Sequence, residues 1–159
     1  MKEKVLLLLF FFFLPFSGPL MAQVPISILK NTDMNFGTIA VSSVAGTVLL
    51  SGSGLRTPSG GVILPTITGT VSAAQFTVSG QDNYTYAIML PVTDFSLYES
   101  GVGPAYMVVN AFNSTPSATG TLAGGTQTVL VGAKLNVGAL QAAGSYTNVI
   151  GFTVVVNYN

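Results

Sequence analysis

Outside its first 22 residues the chain carries few groups that could do chemistry. Asp33, Asp82, Asp94 and Glu99 are its carboxylates, Lys30, Arg56 and Lys134 its basic side chains, and histidine and cysteine are absent. Without imidazole there is no proton shuttle near neutral pH, and without thiol there is no thiolate nucleophile, zinc ligand or disulfide. A glycosidase needs two carboxylates facing one cleft. Asp94 and Glu99 are the nearest pair in sequence, but they flank a turn-like Phe95-Ser96-Leu97-Tyr98 stretch and read as solvated loop charges. Calcium needs oxygens clustered at alternating positions, and Gln81-Asp82-Asn83 supplies one charge. Gly52/Gly54 and Gly101/Gly103 are bare glycine pairs that open no helix after a strand, so they make no dinucleotide fingerprint. The expectation is no catalytic residue, no metal and no cofactor. With 5 Lys+Arg in the whole chain, no patch can track phosphates, so nucleic acid is not an expected partner.

The elements that must position these residues are strands. Phe76 and Val78 alternate with polar neighbours, as do Tyr84, Tyr86, Ile88 and Leu90. Val129, Val131, Ala133, Leu135 and Val137 form a longer set, and Tyr146, Asn148, Ile150, Phe152, Val154, Val156 and Tyr158 form the longest, read as one continuous terminal strand. Val24, Ile26 and Ile28 start the series, Met34 and Phe36 flank Asn35, and Val108, Asn110 and Phe112 make a weaker set. Such period-two runs are the signature of half-buried strands. Turn signals separate them at Ser51–Gly54, Pro58–Gly61, Gly80–Asn83, Gly101–Pro104, Ser114–Pro116 and Gly124–Gly125. A helical turn or two fits only Val137–Ala143. The fold class this predicts is all-β, an immunoglobulin-like antiparallel β-sandwich, with a closed barrel as the alternative.

Charged residues make up 6% of the chain, and about a third of residues 23–159 are Gly, Ser or Thr. The chain is too apolar for disorder, which needs low hydrophobicity and high charge. Its first residues have a separate logic. Lys2 and Lys4 precede an apolar run from Val5 to Leu14, then Pro15, Ser17-Gly18 and the small residue Ala22. That pattern predicts a signal peptide over residues 1–22, cut between Ala22 and Gln23, and a single β-sandwich domain over residues 23–159. The interrupted run is too short for a membrane span of about 20 residues, so no integral span is expected after cleavage. An exported chain without disulfides fits a bacterial periplasm or cell surface.

Three blocks carry a family resemblance. They are Leu29–Ile39 with its Asn35-Phe36-Gly37-Thr38-Ile39 run; Gly69–Gly80 followed by Tyr84-Thr85-Tyr86; and Leu135–Gly138, Gln141–Thr147 and the terminal Val154–Tyr158. In that order, over essentially all of residues 23–159, they resemble the bacterial exported family catalogued as domain of unknown function 4402. More distantly, Phe36-Gly37, Ala143-Gly144-Ser145-Tyr146-Thr147 and Tyr158 are similar to positions in spore-coat-U-like proteins and chaperone–usher pilins. That resemblance implies a subunit joined by β-augmentation to copies of itself or related subunits, with a periplasmic chaperone and the export machinery as partners. The expected assembly strands are Val24, Ile26 and Ile28 at one end and Tyr146, Ile150, Phe152, Val154, Val156 and Tyr158 at the other. Residues 23–30 fit either a donor strand or the domain's own first strand, because alternation serves both.

The expected function is therefore a non-catalytic, exported structural protein, a surface or fimbria-like subunit. The alternative is a monomeric secreted adhesion or carbohydrate-binding module, with the loops around Gly52–Gly61 and Tyr98–Tyr106 as its contacts.

Overall fold

The computed structural model describes residues 22–159. The signal-peptide expectation falls on residues that, Ala22 apart, lie outside those described. Eleven strands follow one another: β1 (Ser27–Thr32), β2 (Ala40–Leu50), β3 (Arg56–Ile63), β4 (Ala74–Ser79), β5 (Thr85–Met89), β6 (Phe95–Glu99), β7 (Tyr106–Thr115), β8 (Thr119–Thr121), β9 (Thr126–Val137), β10 (Tyr146–Thr147) and β11 (Val155–Tyr158). One 3₁₀ turn, Ala123–Gly125, precedes β9.

The longest strand, β9, organises the large sheet. One edge pairs with β7. The other edge pairs first with β4, through Val131↔Ala74, and then with β2, from Ala133↔Leu50 onward. The change of partner falls at Gly132, where an added Cβ would collide with the Leu50 carbonyl. Glycine is required there because two backbones come too close for any side chain. The sheet continues outward as β1 beside β4, β3 beside β2, and β6 then β10 beside β7. A second sheet, β11-β5-β8, is smaller. All pairings are antiparallel, and the fold is an all-β sandwich.

Inward-facing residues build two adjoining cores. Phe76, Val78, Val129 and Val131 of the large sheet meet Tyr86, Ile88, Val154, Val156 and Leu122 of the small sheet and its loops. Under the other half of the large sheet lie Phe36, Val48, Leu50, Val62, Met107, Val109, Ala133, Leu135 and Val137. Met34 and Phe112 touch both. Each fully buried aliphatic side chain contributes about 1.5–3 kcal/mol relative to exposure. All five inward positions of the Val129–Val137 alternation are buried.

Several expectations need correction. The terminal run is not one strand. β10 pairs with β6 in the large sheet and β11 with β5 in the small one, while residues 148–154 pass between the sheets outside any ladder. The weak set at Val108 is out of phase: Met107 and Val109 point inward. Ala111, at φ 48°, then forms a bulge in the β7–β9 register that brings Phe112 back to the core. Pro58–Gly61 is not a turn but the middle of β3, paired with β2 at Pro58↔Val48 and Gly60↔Gly46. A proline is tolerated there because β3 is an edge strand. Phe95–Glu99 is a strand rather than a turn, and residues 138–143 form turns rather than a helix. No helix among the described residues is long and apolar enough to cross a membrane.

Candidate functional site

The small sheet covers only the β4 side of the large one. Over the β6–β7 side the second layer is incomplete, and a groove of about 610 Å³ with an apolar floor opens there. Its floor is Phe95 and Leu97 of β6, Met107 and Val109 of β7, and Leu135 of β9, which alternation places on one face. One wall is the segment Asp33–Ile39, which turns at Gly37, and the other is formed by Gly144–Asn148 with Gly151 and Phe152.

The first wall is held from outside. Asn35 exchanges both backbone hydrogen bonds with Ser72, and the Thr38 N–H donates to the Thr68 carbonyl. The Asn35 side chain accepts from the Gly37 N–H at 2.8 Å. Arg56, reaching over from β3, donates through Nη1 to the Phe36 carbonyl at 2.7 Å and the Thr38 carbonyl at 2.9 Å. The guanidinium thus fixes the wall by charge-assisted bonds. Among the described residues, the Met34 and Phe36 N–H groups have no protein partner.

The second wall begins in β10 and leaves the ladder after Thr147. Asn148 Oδ1 then accepts from the N–H of Ile150 at 2.8 Å, closing a local turn, and Asn148 Nδ2 donates to the Ser96 carbonyl at 2.7 Å. Among the described residues, the backbone N–H and C=O groups of Phe152 and Thr153 have no protein partner. The Phe152 ring closes the groove where the two cores meet. It lies 5.0 Å from Phe112, 6.1 Å from Phe95 and 6.3 Å from Phe76, centroid to centroid. Such contacts between aromatic rings add about 0.5–1.5 kcal/mol each beyond burial.

The expected assembly residues divide along this groove. Tyr146 and Phe152 line it. Val154 and Val156 are buried in the core between the sheets. Ile150 is 89% exposed, contrary to its place in the alternation, because the Asn148 turn rotates it outward. Val24 is 49% exposed, while Ile26 and Ile28 pack against the core, and β1 pairs with β4 as a strand of the domain's own sheet. Ala22 and Gln23 are exposed ahead of it. At the far end Tyr158 ties the termini: its hydroxyl donates to the Val24 carbonyl and accepts the Gln81 N–H, each at 2.6 Å.

The ionisable groups do not converge on the groove floor. Lys30 and Asp33 form an exposed ion pair at its rim, a kind worth about 0–1 kcal/mol. Asp94 bonds Asn110, and Asp82 accepts the Gly124 and Gly125 N–H groups. No cluster of three or more possible metal ligands occurs among the described residues. Burial pushes the Tyr86 phenol above its ordinary pKa; it lies in the core with its hydroxyl donating to Gln127 Oε1 at 2.7 Å. Of the two suggested contact loops, the first is half strand, Arg56 onward being β3. The second carries Tyr98 and Tyr106 as an exposed cross-strand pair.

Missing from the sequence reading were Arg56 as a clamp and the β6–β7 floor. An arginine among Ser, Gly and Thr was the only signal for the first, and nothing in local spacing marked the second.

The fold and groove together define an antiparallel β-sandwich domain with an incomplete second layer. The chain belongs to the family described as Domain of unknown function (DUF4402), whose model matches residues 26–158. No curated protein and no solved structure matches it.

Proposed function

We propose that the protein is a non-catalytic, exported structural subunit, fimbria-like, that joins copies of itself or related subunits by β-strand pairing. The carrying observation is the groove: an apolar floor between two walls that carry unpaired backbone groups. A strand laid there would bury alternate side chains on the floor and bond the walls with its main chain, which is how β-augmentation works. The similarity to spore-coat-U-like proteins and pilins supports the same reading, with a periplasmic chaperone as a transient partner and the periplasm or cell surface as its place.

The test is the oligomeric state of the exported protein. Polymers on intact cells, lost when Leu97→Arg blocks the floor, are the expected result. A monodisperse monomer at every concentration, with no polymer on cells, overturns it. Deleting residues 23–30 asks whether β1 also donates. Loss of folding assigns the segment to its own sheet, and retained folding without polymer makes it a donor.

A second reading, a monomeric adhesion or carbohydrate-binding module, rests on Tyr98 and Tyr106. Their rings stand 6.2 Å apart on the outer face, and both are partly exposed. Binding to a glycan array that disappears in Tyr98→Ala/Tyr106→Ala would favour it.

A further inference from the structure

On the outer face of the large sheet, away from the groove, Asp94 and Asn136 hydrogen-bond the Asn110 carboxamide and Lys134 stands across the ladder from it. Asn110 of β7 stands directly opposite Lys134 of β9 in the ladder. Directly opposed residues in an antiparallel pair have Cβ atoms about 4.5–5.5 Å apart on the same face. The four-carbon stem of lysine spans that gap easily. Asn110 Nδ2 donates to Asp94 Oδ1 at 3.2 Å, and Asn110 Oδ1 accepts from Asn136 Nδ2 at 3.1 Å. Asn136 Nδ2 also donates to the Val108 carbonyl at 3.0 Å. A carbonyl only accepts, so Asn136 must present its NH₂; the atom it meets on Asn110 is then the oxygen, which leaves the Asn110 nitrogen toward the carboxylate. The orientation is fixed from both sides. Lys134, Asn110 and Asn136 are half-buried, Asp94 is exposed, and among the described residues the Lys134 side chain makes no ion pair or hydrogen bond.

The geometry points to an intramolecular amide cross-link between Lys134 and Asn110. The lysine is the nucleophile, the Asn110 carboxamide carbon the electrophile, Asn136 the donor to the developing oxyanion, and Asp94 the proton carrier beside the leaving nitrogen. The Lys134 ammonium first gives one proton to solvent. The free amine adds to Cγ of Asn110, and charge collects on Oδ1 against the Asn136 N–H. Asp94 takes the surplus proton from the attacking nitrogen and passes it to Nδ2, the Cγ–Nδ2 bond breaks, and ammonia leaves. One C–N bond forms and one breaks, with no change of oxidation state and no co-reactant. In a chain without cysteine, the link would do for β7 and β9 what a disulfide does elsewhere: restrict the unfolded chain.

Mass spectrometry of the full chain, purified folded after export, tests this. The expected product is lighter by one ammonia, and its digest contains a branched peptide joining the Lys134 and Asn110 fragments. Localisation to that peptide is the deciding readout, because an N-terminal glutamine loses the same mass on cyclising. Lys134→Arg and Asn110→Ala should restore the missing ammonia. Asp94→Ala should leave the chain unlinked, and Asn136→Ala should slow linkage by tenfold or more. Linkage in the wild type should quicken as pH rises, since the amine must lose its proton. A wild-type chain without the branched peptide after prolonged incubation at mildly alkaline pH overturns the inference. So does equal linkage in Lys134→Arg. Linkage at the wild-type rate in Asp94→Ala overturns the role of Asp94.

Discussion

The Tyr158 hydroxyl donates to the backbone carbonyl of Val24 across 134 positions of sequence, at 2.6 Å. The same oxygen accepts the Gln81 N–H at 2.6 Å, so one phenol joins the first segment, the last strand and the β4–β5 turn. Tyr158→Phe removes both bonds while keeping the ring against Tyr84. The expected loss is about 1–2 kcal/mol, since water can reach Val24 and partly replace the phenol. Urea denaturation measures it, and faster amide exchange at residues 24–28 should accompany it.

Tyr86 sets a pH dependence. In the unfolded chain a tyrosine loses its proton near pH 10. Burial holds the folded phenol above that, so between the two values the unfolded state carries fewer protons and stability falls as pH rises. The contribution is complete below about pH 10 and is lost as pH climbs through the folded value. Denaturation midpoints between about pH 9 and 11 should drop more steeply in the wild type than in Tyr86→Phe. At neutral pH that variant should cost only about 1 kcal/mol, because Gln127 Oε1 keeps its bond from the Thr121 N–H.

Gly120 of β8 and Gly124 of the following 3₁₀ turn separate crowding from backbone strain. A Cβ on Gly120 would strike the Tyr86 ring and Gln127 Oε1, so Gly120→Ala should cost about 1–3 kcal/mol through overpacking. Gly124 has φ +69° and open space around it, so Gly124→Ala should cost only the strain of a left-handed alanine, about 1–2 kcal/mol. Crystal structures or chemical-shift maps should show displaced rings in the first variant and an unmoved core in the second.

Arg56→Ala frees the Phe36 and Thr38 carbonyls that form one groove wall. A loss of about 1–2 kcal/mol is expected, with increased amide exchange confined to residues 33–39 and 68–72. Arg56→Lys should recover only part of it, because a single ammonium lacks the planar fork. Exchange increased evenly over the domain would contradict the clamp.

Ile150→Asp separates folding from assembly. The side chain is almost fully exposed, so the monomer should change by no more than about 0.5 kcal/mol in thermal unfolding. If the groove receives a strand beside residues 148–154, the same substitution should lower polymer yield on cells.

The central alternation was legible because β9 is paired along both edges and buries one face throughout, so Val129 to Val137 follow a strict period of two. The same rule misled at Tyr146–Tyr158. Alternation reports which way a side chain points, not which sheet the backbone joins, and this run changes sheets at Asn148. The β2–β3 hairpin was hidden because Ser42–Gly46 breaks the period and Pro58 and Gly60 read as breakers, features that an edge strand tolerates. Of the groove, only the Asn35-Phe36-Gly37 wall and parts of the terminal run were marked in sequence. The floor is assembled from β6, β7 and β9, and no local spacing connects them.

Pro58 in β3 has a consequence for geometry on a larger scale. β3 is the outer margin of the large sheet on the β2 side, and a proline there has no N–H to offer a neighbouring molecule. Side-by-side growth of sheets from that margin is interrupted at its centre. Strand pairing between copies would therefore have to use another margin of the two sheets.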